Sequence, residues 1–474
     1  MTWQTVIGLE VHAQLKTCSK LFSGTATTYG APPNSQTSFI DAGLPGVLPV
    51  LNQEAVRIAI QFGLAINAEI NDHSFFERKN YFYPDLPKGY QISQFQRPIV
   101  GNGYLEIDSG RKIHIVRAHL EEDAGKSLHD INPIYTGIDL NRAGTPLLEI
   151  VTAPCLFSAS EAISYLKTLH QLLQFLGICD GNMQEGSFRC DVNLSLKPEN
   201  REELGTRTEL KNLNSFRFIE KAIYYEQARH QDILEAGQQV IQETRLYCPD
   251  TNTTQVLRSK ENENDYRYFP DPDLLPIHIS PEYIATINAN MPACPADIRK
   301  RLQDHDKLVN DNVDFLLSSR AVLAFYNEVK RLTHAEPKTI VNWLKGTYMA
   351  ALHSQNLSFE QPPVSAKNLA CLLDRLTDNT IPNNLAKDIF TKLLQGADSV
   401  DELIASSGYK ADSIHAELDK IIRAIIKNNP QQAADYRAGK EKLLAFFVGQ
   451  VMKQTKGQAD PAQINILVRK ALSV

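Results

Sequence analysis

Two stretches far apart in the chain alternate apolar and polar residues with period two, so each is expected to be a strand with one buried face. In Val6–Leu15, Ile7, Leu9, Val11, Ala13 and Leu15 fall on one side and Gly8, Glu10, His12 and Gln14 on the other. In Phe188–Leu196, Phe188, Cys190, Val192, Leu194 and Leu196 point one way, and Arg189, Asp191, Asn193 and Ser195 the other. Helical patterns lie between and after these strands. Asn52 can cap one that runs to about Ile66, with Val56, Ala59, Ile60 and Leu64 inward. Ser160 is expected to cap Glu161–Leu176, stopped by Gly177, and a long helix is expected from Phe216 to Ala236. Sheet and segregated helices together indicate α+β rather than a doubly wound sheet.

After Pro292 and Pro295 helical patterns dominate: Ile298–Leu308, Val313–Val329, Thr339–Leu352, Ala366–Leu376 and a last region from near Ser399. At 474 residues there is room for two or three domains. A formal net charge of −6 excludes a chain coated in basic residues but not a local patch. From Ala411 onward ten Lys and Arg face six Asp and Glu, a local excess of four. Cys18, Cys155, Cys179, Cys190, Cys248, Cys294 and Cys371 form no CxxC pair, so neither a disulfide framework nor a zinc site is expected, and the compartment reads as reducing. A strand starts near the N-terminus with no basic-apolar leader, and no apolar run reaches membrane-spanning length. A cytoplasmic protein without membrane contact is the expectation.

The segment Lys79–Gln94, KNYFYPDLPKGYQISQ, is too broken for a helix, since Pro84, Pro87 and Gly89 interrupt it. Exposing Tyr81, Phe82, Tyr83 and Tyr90 together would be unfavourable. The loop is therefore expected to pack down and to fix Lys79, Lys88 and Asp85 in place. A related phrase, YRYFPDPDLLP, occupies Tyr266–Pro276.

Glu10 and His12 leave the same strand face, about 6.5–7 Å apart at the backbone. Alone, that is what a solvated strand carrying an incidental histidine looks like. Other acids accumulate on similar elements. Glu121, Glu122 and Asp123 are consecutive and repel one another unless solvated or neutralised by a cation. Glu149 sits within the apolar LLEIV at Leu147–Val151, where a carboxylate needs a partner. Asp191 is on a polar strand face, and Glu209 lies between Arg207 and Lys211. AGKS at Ala124–Ser127 imitates the end of a phosphate-binding loop, but Leu120 stands where that pattern requires Gly.

Taken in order, VIGLEVHAQL at Val6–Leu15, the Lys79–Gln94 segment, HLEEDAGKS at His119–Ser127, Tyr266–Pro276 and the C-terminal VMKQTKGQADP resemble the B subunit of the tRNA-dependent amidotransferases. The resemblance covers nearly the whole chain. It implies a cradle domain over 1–292, a helical domain over 293–406 and a small YqeY-like helical tail over 407–474. It also implies Mg²⁺ held by Glu10, His12, Glu122, Glu149, Asp191 and Glu209, with the choice between Glu121 and Glu122 open. Alternation puts those two on opposite faces, so one ligates and the other serves differently. A histidine ligand would also suit Mn²⁺. Glu10, Glu121, Glu122, Lys79 and Lys88 are the implied catalytic groups, the lysines lying on a hydrophilic ammonia passage. Lys427, Arg437, Lys440, Lys442, Lys453 and Lys456 form a basic face that can grip a tRNA backbone.

The implied reaction is ATP-dependent carbon–nitrogen ligation with glutamine as amido donor. The side-chain carboxylate of Glu-tRNA(Gln) or Asp-tRNA(Asn) is phosphorylated and then amidated. Neither an amidase-type Ser/Lys signature nor a Gly-flanked nucleophilic cysteine is present. Ammonia must therefore come from a partner, an amidase-type glutaminase A subunit accompanied by a small C subunit. The rival reading is a noncatalytic scaffold that positions the aminoacyl end of a tRNA.

Overall fold

The polar and apolar faces read from the sequence belong to one large sheet in a computed structural model that describes residues 2–129, 131–259, 263–409, 411–438, 440–454 and 461–472. The sheet has eight strands: β1 Trp3–Gln14, β2 Gly103–Glu106, β3 Lys112–Glu122, β4 Pro146–Thr152, β5 Phe188–Pro198, β6 Thr208–Lys211, β7 Glu243–Cys248 and β8 Thr253–Ser259. Their spatial order is β8-β7-β6-β5-β1-β4-β3-β2. Neighbours run antiparallel except β6 and β7, which are parallel.

Ile7, Leu9, Val11 and Ala13 are buried in one core with residues of α1 Gln53–Ala65, α2 Ala159–Phe175 and α3 Phe216–Glu235, while Gly8, Glu10, His12 and Gln14 are only half-buried. The helices thus cover the apolar face, where each fully buried aliphatic side chain contributes about 1.5–3 kcal/mol. The fold is α+β, as its periodicities imply. Asn52 caps α1 by accepting from the Glu54 N–H. The cap of α2 is Ser158 and not Ser160. Ser158 accepts from the Glu161 N–H, and Glu161 reaches back to the Phe157 N–H at 2.8 Å, so a reciprocal cap starts the helix earlier.

The aromatic segment forms two strands, Glu77–Asn80 and Tyr90–Ser93, paired antiparallel, and Phe269–Pro270 adds a third. The two related phrases therefore meet in space, with Arg78 donating to Asp271 at 2.9 Å and to Asp273 at 2.8 Å. The expectation that all four aromatics pack down fails at the turn. Phe82 is 75% exposed and Tyr83 51%. Both follow the end of the pairing at Asn80, where the sheet no longer dictates which side a residue faces.

Under β6–β8, Glu226 of α3 is fully buried. Its Oε1 lies 3.2 Å from His230 Nε2, and its Oε2 accepts from Thr254 Oγ1 at 2.9 Å. Burial disfavours its charge, but His230 and Arg229 outweigh that and hold the carboxyl down at about 2. A depressed carboxyl stabilises the fold above its unfolded value near 4.5, and that stability is lost as pH falls through about 2. Glu226→Gln is thus expected to lower unfolding free energy by roughly 3 kcal/mol at neutral pH. The difference from wild type should shrink below pH ~4.5. Urea midpoints at several pH values check this, and a pH-independent difference would contradict it.

The chain divides into two compact units, Met1–Pro295 and Ala296–Val474. The second unit is helical. The expected Val313–Val329 helix is two, Asn310–Leu316 and Arg320–Leu332, because Ser319 caps the second by accepting from the Val322 N–H. Asn383–Leu394 is a helix outside the patterns singled out above. Ile422, Phe447, Val451, Ile464, Val468 and Leu472 form a separate small core near the C-terminus. No helix among the described residues is long and apolar enough to cross a membrane.

Candidate active site

Strand register assembles the acids. Glu10 lies opposite Asp191 and His12 opposite Arg189 across β1/β5. His12 lies opposite Glu149 across β1/β4, and Glu149 opposite His119 across β4/β3. Partners in register share a face, so Arg189, His12, Glu149 and His119 form one row over four strands. Asp191 and Glu10 form the next row. Asn193 and Glu209, paired across β5/β6, form a third.

The ligand atoms of His12, Glu121 and Glu149 lie within 4.8 Å of one another. His12 Nε2 is 3.5 Å from Glu149 and 3.8 Å from Glu121, and His119 Nε2 is 3.4 Å from Glu149 and 3.8 Å from Glu121. Burial works against charge on both imidazoles, but Glu149 and Glu121 prevail, raising His12 and taking His119 up to about 9. The same pairing, led by His119, outweighs the burial of Glu149 and holds its carboxyl well below the usual range. His119 escaped the sequence reading. Its signal was the His-x-Glu alternation of His119 and Glu121, the mirror of Glu10 and His12.

Glu10, Asp191 and Glu209 form a second group, also within 4.8 Å. Glu10 accepts from Asn193 at 2.7 Å and Glu209 from Thr244 at 2.6 Å. Lys211 bonds to Asp191 and lies 3.6 Å from Glu209. Burial disfavours its charge, but Asp191 and Glu209 raise its pKa nonetheless. A cavity of about 500 Å³ opens beside this group, lined by Gly8, Glu10, Thr152, Asn193, Ser195 and Arg207 among others.

The three consecutive acids are all buried and avoid mutual repulsion by taking different cations. Glu121 faces the two histidines. Glu122 bonds to Lys88 and accepts from the Ile92 N–H at 2.9 Å. Asp123 accepts from Arg189 at 3.1 Å and Gln14 at 3.0 Å, with Arg142 at 3.6 Å. Its burial would raise the carboxyl, but Arg189 and Arg142 depress it. The structure therefore puts Glu121, and not Glu122, with His12 and Glu149. Alternation along β3 turns Glu122 to the other face, where Lys88 occupies its carboxylate. Lys79 is half-buried between Tyr266 and Tyr81, at 4.9 and 5.9 Å from their ring centres. Its burial disfavours the charge, yet Glu121 keeps the ammonium more firmly protonated than usual. Asp85, expected to be fixed, accepts from Ser127 Oγ at 3.0 Å.

The donor chemistry fits divalent cations. The all-carboxylate group matches a hard ion such as Mg²⁺ once Lys211 yields, and the mixed group with His12 also suits Mn²⁺. In the tail, Lys427, Lys442 and Lys453 are exposed. Arg437 donates to the Leu472 carbonyl at 2.8 Å and Lys440 pairs with Asp435 at 3.2 Å, so both also hold the tail together. Lys456 lies outside the described residues.

Residues 5–285 match the GatB/GatE catalytic domain and residues 324–472 the GatB domain. The chain belongs to the GatB family. It is 65% identical, over the full length of both chains, to the B subunit of the aspartyl/glutamyl-tRNA(Asn/Gln) amidotransferase of Legionella pneumophila (strain Philadelphia 1). It is 52% identical, again over both full lengths, to the proteins of that name in Coxiella burnetii (strain CbuG_Q212) and Nitrosococcus oceani. Both acid groups fall within the stretch that matches the GatB/GatE catalytic domain.

Proposed function

We propose that the chain is the subunit of a tRNA-dependent amidotransferase on which a misacylated aminoacyl group is activated and amidated. A carboxylate oxygen of the glutamyl or aspartyl side chain attacks the γ-phosphorus of ATP and ADP leaves. Ammonia then adds to the acyl carbon, loses a proton and expels phosphate. The observation that carries this reading is the pair of cation-sized acidic groups on one sheet face beside a cavity large enough for a nucleotide. A scaffold for an anionic RNA has no physical reason to gather carboxylates there.

The cavity adjoins Glu10, so Glu10, Asp191 and Glu209 would face the phosphates, leaving His12, Glu121 and Glu149 toward the acyl group. Divalent cations bound at these groups would offset the repulsion between the carboxylate and the γ-phosphate. Lys79, Lys88 and Glu122 lie on the ammonia side, where charged side chains can exchange protons with NH₄⁺. Excluding water protects the acyl phosphate.

A glutaminase A subunit and a small C subunit would complete the heteromer. Support comes from the loops around Lys88. Gly125 donates to the Asp85 carbonyl, Asn34 bonds to Asp139 and Gly43 packs on Lys88, while Phe39, Phe82, Ile134 and Tyr135 stay exposed. Exposed apolar side chains on loops joined in this way suit a protein partner. ATP hydrolysis by the heteromer should be stimulated by Glu-tRNA(Gln) or Asp-tRNA(Asn) and not by deacylated tRNA. Equal turnover with both forms would favour the scaffold reading.

The basic tail would hold the tRNA body. Deleting residues 407–474 should raise KM for aminoacyl-tRNA and flatten the salt dependence of tRNA affinity, because phosphate contacts release counterions. Identical affinities and salt slopes for full-length and truncated heteromers would rule out an RNA-binding tail.

A further inference from the structure

The acidic face must accept an anion, the side-chain carboxylate of the aminoacyl group, and this needs a cation that is not already consumed. Lys211 is committed to Asp191 and Glu209, Lys88 to Glu122, and Lys79 lies among tyrosine rings. Arg189 is placed differently. It stands opposite His12 of one group and two residues along β5 from Asp191 of the other. It therefore adjoins both.

Its side chain is 32% exposed. Among the described residues its side chain hydrogen-bonds only to Asp123, through Nη2 at 3.1 Å. Asp123 is buried and also takes Gln14, so it anchors one end of the guanidinium while Nε and Nη1 remain to bind an anion.

Order along β1 selects the anion. Gly8 and Asn193 line the cavity, Glu10 and Asp191 come next, and His12 and Arg189 follow, each step about 6.5–7 Å along the strand. A nucleotide seated in the cavity presents its phosphates to the middle row, so the third row receives the acceptor. We propose that Arg189 is the residue that binds the side-chain carboxylate of the aminoacyl group, oriented for this by Asp123. The assignment rests on the function proposed above.

The test uses the full heteromer carrying Arg189→Gln or Arg189→Lys. Wild type should bind Glu-tRNA(Gln) more tightly than deacylated tRNA in the absence of ATP. Arg189→Gln should weaken binding of the aminoacylated form at least about tenfold, with unchanged affinity for deacylated tRNA and unchanged KM for ATP. Arg189→Lys should not restore it, since an ammonium lacks the planar fork. Added guanidinium should raise kcat/KM of Arg189→Gln and leave that of Asp191→Asn unchanged.

Retention of the preference for aminoacylated tRNA by Arg189→Gln would overturn the assignment. So would a rise confined to KM for ATP, which would place a phosphoryl group on Arg189. Uniform losses with a lower melting temperature and no guanidinium rescue would reduce Arg189 to a support for Asp123. Failure of the wild-type heteromer to turn over ATP with either misacylated tRNA would instead defeat the underlying reading.

Discussion

Asp191→Asn is expected to cut aminoacyl-tRNA-dependent ATP hydrolysis by about 10²–10³-fold, the usual effect of removing one preorganised electrostatic group. Asp191 projects from the polar face of β5, whereas Cys190 and Val192 beside it carry the core contacts. The fold should therefore survive, and the thermal midpoint should stay near that of wild type. The substitution removes no core contact and leaves Glu209, 3.6 Å from Lys211, as a carboxylate partner for that ammonium. Mn²⁺ binding followed by electron paramagnetic resonance, with no substrate present, separates a lost ion site from a lost substrate contact. His12→Ala should weaken binding at the other group, since Glu121 and Glu149 would keep His119 but lose the second imidazole. Full ATPase and unchanged Mn²⁺ binding in both variants would remove the metal assignment.

The second large effect concerns Lys88. Its pair with Glu122 is buried, and removing one partner of a buried pair costs about 3–5 kcal/mol because the other charge is stranded. Lys88→Met alone mixes that loss with any effect on ammonia passage. The double variant Lys88→Met with Glu122→Gln removes both charges and keeps similar volumes. It should retain glutaminase activity and ATP hydrolysis while amide product falls by at least about tenfold, a value within the range for a positioned proton-transfer group. Parallel loss of all three activities would indicate a docking or folding defect. Full amide yield would remove Lys88 and Glu122 from the ammonia route.

Much of the first-unit architecture was legible because period two is a local property. Glu10, His12 and Asp191 were placed on polar faces by alternation alone, and the structure keeps them there. Register is nonlocal, and nothing in LLEIV says that Glu149 will stand between His12 and His119. Which of Glu121 and Glu122 stands beside His12 and Glu149 is decided only when β3 is paired with β4 and Lys88 is brought in from another loop. Phe82 and Tyr83 mislead for a related reason, since composition cannot separate a loop packed on its own chain from one that leaves rings exposed. Ser158 shows that a cap is selected by the acid three residues on, a pattern also present in the sequence.

On the function proposed above, the side-chain carboxylate of the aminoacyl group is phosphorylated on this chain before it is amidated. The direct measurement starts with Glu-tRNA(Gln) whose side-chain carboxylate carries ¹⁸O on both oxygens. The heteromer turns it over with ATP and glutamine, and the released phosphate is analysed by mass spectrometry. Activation by phosphoryl transfer predicts that each phosphate released with amide carries one ¹⁸O. Unlabelled phosphate accompanying full conversion to amide would contradict it.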